Sequence, residues 1–394
     1  MERLARLAVE FGANVQPGQI VSISTEPGKE ELTRAIAEAA YERGARFVDP
    51  WWFDPHVKRS RLRHADPETL SFVPEWHGRR LLELGEVGAA AIALSGLVEP
   101  NLMSGIDPAL LALDMLPQLK ESGPLVEGRR VNWTVVPCPT PGWAAQVYPG
   151  VAADEALRRL GEAVADICRL SETDPVAAWE ARLAQLDAVR ERLNALALDS
   201  VRFEGPGTDL TVGLLGGSRW TVARFSTLDG VVHTVNLPTE EVFTTPDPAR
   251  TEGTVTSTKP LFVSNQLITG LRVRFEHGRA VEIEADQGAD TLRGLIGRDA
   301  DASRLGELAL VDGDSRVGRS ETVFFDTLLD ENAASHIALG QAYGLCIEGE
   351  EDLAQINESE IHVDFMIGGD DVAVTGMRRD GEVVPLLRGG RWQI

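Results

Sequence analysis

One short segment near the C-terminus combines residue types that bind metal ions. Residues 360–368 read Glu-Ile-His-Val-Asp-Phe-Met-Ile-Gly, so that His362, Asp364 and Met366 alternate with apolar residues. This period of two predicts a β-strand that carries the imidazole and the carboxylate on one face, about 7 Å apart along the backbone. Burying both groups in so apolar a strand is unfavourable unless a partner compensates them. A divalent cation would do so; the alternative is an ordinary His–Asp pair at a strand edge.

Two further segments place carboxylates where they could complete such a site. Glu240 and Glu241 are adjacent in an otherwise uncharged run between two prolines. Glu307 stands near the start of the apolar run Leu305 to Val311, which predicts a strand. Neither run contains a Lys or Arg, so a carboxylate that enters a core there needs another partner. Taken alone, each glutamate is more often solvated than a ligand.

The segment from Asp330 to Tyr343 brings in the second histidine of interest, His336. Its Ala-rich pattern predicts a helix with Asp330 at the N-cap. His336 and Tyr343 are seven residues apart and would then lie on one helix face, two turns apart. The small residues Ala333 and Gly340 would leave space beside the imidazole. A lone helical histidine is usually a surface or core residue, so this segment carries weight only together with the others.

Together these segments resemble the M29 metallopeptidase family, the thermophilic-type aminopeptidases. The motifs that carry the resemblance, in family order, are Pro238-Thr-Glu-Glu-Val-Phe-Thr244, Gly306-Glu-Leu-Ala-Leu-Val311, Thr327-Leu-Leu-Asp-Glu-Asn-Ala-Ala-Ser-His-Ile-Ala-Leu-Gly340 with Ala342-Tyr343, and Ile361-His-Val-Asp-Phe-Met-Ile-Gly368. The first half of the chain resembles the family only in its pattern of α/β elements. One departure is the loop Asp312 to Arg319, which is charged where a more apolar sequence is expected and which bears on the substrate pocket.

The resemblance implies a complete set of metal ligands. These are Glu241, Glu307, His336, Tyr343, His362 and Asp364. The family has its ligand immediately before Val-Phe-Thr, which selects Glu241 and leaves Glu240 as a neighbour that either supports the site or is solvated. Such nitrogen and oxygen ligands suit two divalent ions, Zn²⁺ or Co²⁺, with Mn²⁺ or Mg²⁺ as further options.

This ligand set predicts hydrolysis by a metal-activated water. The ions would lower the pKa of the water, polarise the scissile carbonyl and hold the free α-amine of a peptide, which explains cleavage from the N-terminus. A carboxylate is the natural general base, and Glu241 and Glu307 remain equal candidates. Tyr343 is predicted to contact a metal or the oxyanion. The resemblance also implies short peptide substrates and a homodimer.

Composition excludes several other classes of function. The chain has 394 residues, 43% of them hydrophobic, and a formal net charge of -23. This acidic balance argues against nucleic acid or an anionic membrane as a partner. No secretory signal and no membrane-spanning run is evident. Three well-separated cysteines form neither a disulfide framework nor a zinc motif, so we expect a cytoplasmic protein.

The elements that must position these residues change in character near residue 198. Residues 1–198 alternate apolar strands with amphipathic helices, which predicts an α/β domain with a mostly parallel sheet. Predicted helices include 29–43, a stretch near 108–120, and the pair 153–170 and 175–198 that would connect the domains. Residues 199–394 read as a β-rich α+β catalytic domain that carries the metal site, with a hairpin at 271–285.

Three competing interpretations differ in the chemistry they assign. Another dinuclear metal amidohydrolase or phosphoesterase could use the same ligands, although the motifs lack a phosphate cradle. A catalytically silent relative that binds peptides or metal would be expected to miss a ligand, and none is missing. A nucleotide-binding protein would need a glycine-rich phosphate loop, which the first half does not contain.

Overall fold

The computed structural model describes residues 1–114, 116–117, 119–263 and 266–394. Strands and helices alternate along the first half of the chain. Its elements are α1 (Glu2–Leu7), β1 (Ile20–Thr25), α2 (Glu30–Glu42), β2 (Phe47–Trp52), α3 (Pro55–His64), α4 (Glu75–Glu86), β3 (Ala90–Ser95), α5 (Pro108–Leu113), α6 (Ser122–Glu127), β4 (Asn132–Pro137), α7 (Pro141–Val147), α8 (Ala153–Ile167) and α9 (Pro175–Leu196).

The first four strands form one parallel sheet in the order β2-β1-β3-β4, which confirms the predicted mostly parallel sheet. Parallel neighbours need crossover connections, and α2 supplies the first of these between β1 and β2. Val21 and Ile23 of β1, which like β3 is paired on both sides, are fully buried. The stretch predicted as helical near 108–120 forms α5 only as far as Leu113, and residues 115 and 118 lie outside the described part of the chain.

The second half consists mainly of antiparallel strands. Its elements are β5 (Leu198–Gly205), β6 (Thr208–Leu214), β7 (Arg224–Ser226), β8 (Val232–Thr234), β9 (Glu241–Thr244), β10 (Pro246–Thr256), β11 (Leu261–Val263), β12 (Gln266–Ile268), β13 (Arg272–Glu276), β14 (Arg279–Glu284), α10 (Ala289–Ile296), β15 (Leu305–Val311), α11 (Arg316–Arg319), α12 (Thr327–Asp330), β16 (His336–Gly340), α13 (Glu350–Leu353), β17 (His362–Met366), β18 (Ala373–Arg378), β19 (Val383–Arg388) and β20 (Arg391–Trp392).

These strands build two larger sheets. One has eight strands in the order β14-β13-β10-β6-β5-β18-β19-β20, and the other has four in the order β17-β16-β15-β9. The predicted hairpin at 271–285 is present as β13 and β14. Its turn residues His277 and Gly278 both have positive φ, at 51° and 78°, which is the backbone conformation of a two-residue hairpin turn that matches strand twist.

The described residues fall into two compact units. The first comprises Met1–Glu180 and Ala223–Thr239, and the second comprises Ala181–Val222 and Glu240–Ile394. Helix α9 begins in the first unit and ends in the second. The domain boundary at residue 198 stays a prediction. Among the described residues, no helix is long and apolar enough to cross a membrane.

The prediction of a helix from Asp330 to Tyr343 is wrong. The chain forms the short helix α12, one 3₁₀ turn at Glu331–Ala333 and then strand β16. Strand β16 lies between β15 and β17, and all five of its residues are buried. A strand buried on both faces reads as a continuous apolar run, so pairing on both edges overrides the helical preference of alanine and leucine. Asp330 caps no such helix; its carboxylate accepts hydrogen bonds from the backbone N–H groups of Phe324 and Asp326.

Candidate metal centre

Five of the six predicted ligands lie on one face of the four-stranded sheet. Directly opposed residues of an antiparallel pair share a face, and residues two apart on one strand share it as well. The opposed pairs on this face are His362 with Gly340, Asp364 with Ala338, Ala338 with Glu307, Ala309 with His336, and Val311 with Glu241. The small residues at Ala309, Ala338 and Gly340 leave room between the larger polar side chains. The sheet register therefore gathers ligands from four separate strands.

The donor atoms of these side chains form two groups with one shared member. Glu241, Glu307 and His336 offer ligand atoms that lie within 4.8 Å of one another, and so do Glu307, His362 and Asp364. Glu307 thus faces both groups. A carboxylate with two oxygens can serve two adjacent cations, and each group supplies three side chains of the kinds that bind divalent transition metals.

Both imidazoles are oriented by backbone carbonyls behind them. Nδ1 of His362 lies 2.8 Å from the carbonyl oxygen of Gln341, and Nδ1 of His336 lies 3.2 Å from that of Ala334. Donation from Nδ1 fixes the ring so that Nε2 faces the carboxylates. Nε2 of His336 is 3.2 Å from Oε2 of Glu241. This is the arrangement expected of histidines that bind metal through Nε2.

Neighbouring carboxylates raise the pKa of both histidines, and burial raises the pKa of the shared carboxylate. Burial alone would lower the pKa of His336, but Glu241 and the other carboxylates outweigh it and raise that pKa to about 10. Burial would also lower the pKa of His362, yet Asp364 and Glu307 raise it well above its ordinary value. Burial raises the pKa of Glu307, and the neighbouring carboxylates add to the rise. In the metal-free chain, protons on the imidazoles therefore balance part of the negative charge.

The residues present fit a cationic cofactor. Glu241 and Glu307 are each 4% exposed, and no Lys or Arg among the described residues forms an ion pair with them or with Asp364. Oε2 of Glu241 and Oδ1 of Asp364 are buried and accept no well-aligned hydrogen bond within the described part of the chain, although each faces an imidazole Nε2, at 3.2 Å for His336 and 3.3 Å for His362. Buried anionic oxygens normally have a partner, because desolvating them is unfavourable. Two divalent cations would supply the compensation that the two imidazoles give only in part.

Tyr343 lies beside the second group, three residues beyond the end of β16. Its Oη is 3.4 Å from Nε2 of His362, and its ring packs against Phe243 with ring centres 5.9 Å apart. Burial raises the pKa of the Tyr343 phenol well above its ordinary value, and the carboxylates of Glu307 and Asp364 raise it further. The phenol is therefore a neutral O–H donor in the metal-free chain.

Two glutamates near the site have roles that the sequence leaves open, in the case of Glu240, or does not reveal, in the case of Glu331. Glu240 points away from the ligand face and is fully buried against Arg182, so the interpretation of Glu240 as a solvated residue is wrong. Glu331, in the 3₁₀ turn before β16, is 8% exposed. Burial, then Asp364 and Glu241, raise its pKa well above the ordinary value. Its only sequence signal is its place in the Asp-Glu-Asn-Ala-Ala-Ser-His segment.

Comparison with known proteins gives consistent matches along the whole chain. The family described as thermophilic metalloprotease (M29) matches residues 1–392. The chain is 41% identical to aminopeptidase T of Thermus aquaticus over 402 aligned residues, with 100% of this chain and 98% of that protein covered. It is 36% identical to aminopeptidase 2 of Geobacillus stearothermophilus, with coverages of 100% and 97%. The solved structure of wild-type AmpT from Thermus thermophilus matches with a TM-score of 0.90 and 40% identity, covering 100% of this chain and 98% of that one.

Proposed function

Because the chain belongs to the M29 family of metallopeptidases and hydrolyses peptide bonds, we propose that it is an aminopeptidase that removes N-terminal residues from short peptides at a two-metal centre. The relatives named as aminopeptidases cover the full length of the chain, which supports the exopeptidase assignment. The two-metal centre rests on the geometry of the ligand face.

The observation that carries this proposal is the sharing of Glu307 between two donor groups. A single-metal site would need only one such group. Here Glu241 and His336 lie on one side of Glu307, and His362 and Asp364 lie on the other. Glu307 would be shared by both ions, with Glu241 and His336 helping to hold one of them and His362 and Asp364 the other. Two bound ions would supply Lewis acidity and would lower the pKa of a water molecule.

The protein's own side chains then orient the peptide and move the proton. The phenolic O–H of Tyr343 donates a hydrogen bond to the carbonyl oxygen as negative charge develops there. A carboxylate must accept the proton of the attacking water and pass it to the leaving amine. To the two predicted bases, Glu241 and Glu307, we add Glu331, because it is buried near the ligands but belongs to neither donor group.

Metal identity, assembly and location remain predictions. Zn²⁺ or Co²⁺, with Mn²⁺ or Mg²⁺ as further options, all suit this nitrogen and oxygen set, so availability in the cell decides among them. The homodimer and the cytoplasmic location stay as predicted from the sequence. Sedimentation of the purified protein at several concentrations tests the dimer directly.

The proposal is tested by hydrolysis of leucine p-nitroanilide after chelation and after metal replacement. We expect EDTA-treated protein to be inactive and added Co²⁺ or Zn²⁺ to restore activity. An N-acetylated form of the same substrate is the matched control, and it should not be cleaved because it lacks a free α-amine. Activity that survives complete metal removal would refute the metal mechanism, and equal cleavage of the acetylated substrate would refute the aminopeptidase assignment.

A further inference from the structure

Behind the ligand face lies a buried ion network that the proposed reaction does not use. Arg182, on α9, donates from Nε to Oε2 of Glu240 at 2.6 Å and from Nη2 to Oδ2 of Asp312 at 3.0 Å. The Glu240 side chain is fully buried, and those of Asp312 and Arg182 are 6% and 12% exposed. The indole N–H of Trp392 completes the network by donating to the same oxygen of Asp312 at 2.9 Å.

The two carboxylates of this network stand next to the two strands that carry metal ligands. Glu240 immediately precedes Glu241 at the start of β9, and Asp312 immediately follows Val311 at the end of β15. Because Glu241 and Val311 are opposed across these strands, Glu240 and Asp312 are close neighbours facing the other way. Two buried like charges at this point would repel each other and separate β9 from β15.

The guanidinium of Arg182 prevents this separation because its planar fork reaches both carboxylates at once. The geometry points to Arg182 as a positioning residue: by joining the ends of β9 and β15 it holds Glu241 and Glu307 at the spacing that two metal ions require. A second contact fixes the start of β9, since the backbone N–H of Glu240 donates to Oδ1 of Asn332 at 2.5 Å. This inference rests on the proposed two-metal function and assigns a role to residues outside its ligand set.

The network also accounts for part of the charged loop Asp312 to Arg319, where the sequence departs from the more apolar pattern expected. Oδ2 of Asp312 accepts hydrogen bonds from Arg182 and Trp392, and its Oδ1 accepts a hydrogen bond from the backbone N–H of Asp314 at 2.9 Å. Asp312, the first residue of this loop, therefore belongs to the network that supports the metal site.

The decisive variant is Arg182→Lys, compared with Arg190→Lys on the same helix. Lysine keeps the positive charge but cannot span two carboxylates as the guanidinium fork does. Arg190 pairs with Asp187 at 2.6 Å in a more exposed position, which makes it a matched control. Each EDTA-treated protein is titrated with Zn²⁺ by calorimetry, and the visible absorption spectrum of its Co²⁺ form is recorded to report ligand geometry.

We expect Arg182→Lys to weaken Zn²⁺ binding by about 10–100-fold, the range typical of residues that orient metal ligands, and to alter the Co²⁺ spectrum. Arg190→Lys should change neither. Wild-type affinity and an unchanged spectrum in Arg182→Lys would overturn the inference while leaving the two-metal function intact. A wild-type protein that binds fewer than two ions would instead refute the proposed function.

A second variant, Asp312→Asn, covers the case in which Arg182→Lys does not fold. It removes one arm of the network with almost no change in volume and leaves the pair of Arg182 with Glu240 in place. We expect a loss of Zn²⁺ affinity of about tenfold. Unchanged affinity for both ions in this variant would likewise overturn the positioning role.

Discussion

Replacing Glu307 with glutamine separates metal binding from folding, because this residue belongs to both donor groups. Glutamine keeps the size and shape of the side chain but removes the negative charge shared by the two donor groups. Oε2 of Glu307 lies 3.1 Å from Nε2 of His362, so an ion held by both atoms would form a buried pair of opposite charges with the carboxylate. Removal of one partner from a buried charged pair costs about 3–5 kcal/mol.

Converted at about 1.4 kcal/mol per tenfold change, this range corresponds to metal binding that is roughly 10²–10⁴-fold weaker. The metal-free protein should behave differently. Burial raises the pKa of Glu307, so its ionised form is unfavourable there and its removal offsets the hydrogen bond lost to His362. We therefore expect the free energy of unfolding of the metal-free variant to differ little from that of the metal-free wild type.

The assay is urea unfolding with EDTA and again with Zn²⁺ at about 1,000 times the wild-type dissociation constant. Each bound ion should stabilise the wild type by about 4 kcal/mol and Glu307→Gln by about 1.4 kcal/mol or less. Glu358→Gln, at an exposed position, is the control and should match the wild type. Full metal stabilisation and near-normal turnover in Glu307→Gln would refute the bridging role.

Three further predictions test other parts of the structure. Glu331→Gln should bind both metals with near wild-type affinity but lose about 10²–10⁴-fold in kcat if Glu331 is the base; full turnover on leucine p-nitroanilide would return that role to Glu241 or Glu307. His233 is buried, and burial, opposed by the Val231 carbonyl, lowers its pKa to about 4. Its neutral form therefore stabilises the fold above pH 6.5, and this stabilisation is lost as the pH falls towards 4. Between pH 7 and pH 4, the free energy of unfolding of the metal-free wild type should fall by about 3 kcal/mol more than that of metal-free His233→Gln. Equal losses in urea unfolding would contradict this assignment. Gly340→Ala should destabilise the protein more than Gly381→Ala: both glycines have positive φ, but a Cβ at Gly340 would lie 2.1 Å from the carbonyl oxygen of Ile361, whereas one at Gly381 meets nothing within 4 Å. Similar midpoints of thermal unfolding for the two variants would show that the protein relieves this close approach with little loss of stability.

Periodicity alone determined the parts of the protein in which local pattern and burial agree. The parallel sheet of the first half follows from strands that alternate with amphipathic helices. Strand β17 was predicted from its period of two, which also placed His362 and Asp364 on one face. Strand β15 was predicted from an apolar run that contains Glu307. In each case the residues within about ten positions already contain the signal, because one face or both faces of a strand must be apolar to be buried.

Only the tertiary structure decided what depends on distant partners. The residues His336 to Gly340 have a local preference for helix, but pairing with β15 and β17 makes them a strand. The hydrogen bonds of those two neighbours and burial on both faces outweigh differences in helix propensity of a few tenths of a kcal/mol per residue. Likewise, Arg182 reaches Glu240 from 58 positions away and Asp312 from 130. No local pattern records such contacts, since they are fixed by strand register and by charges that must be paired once they are buried.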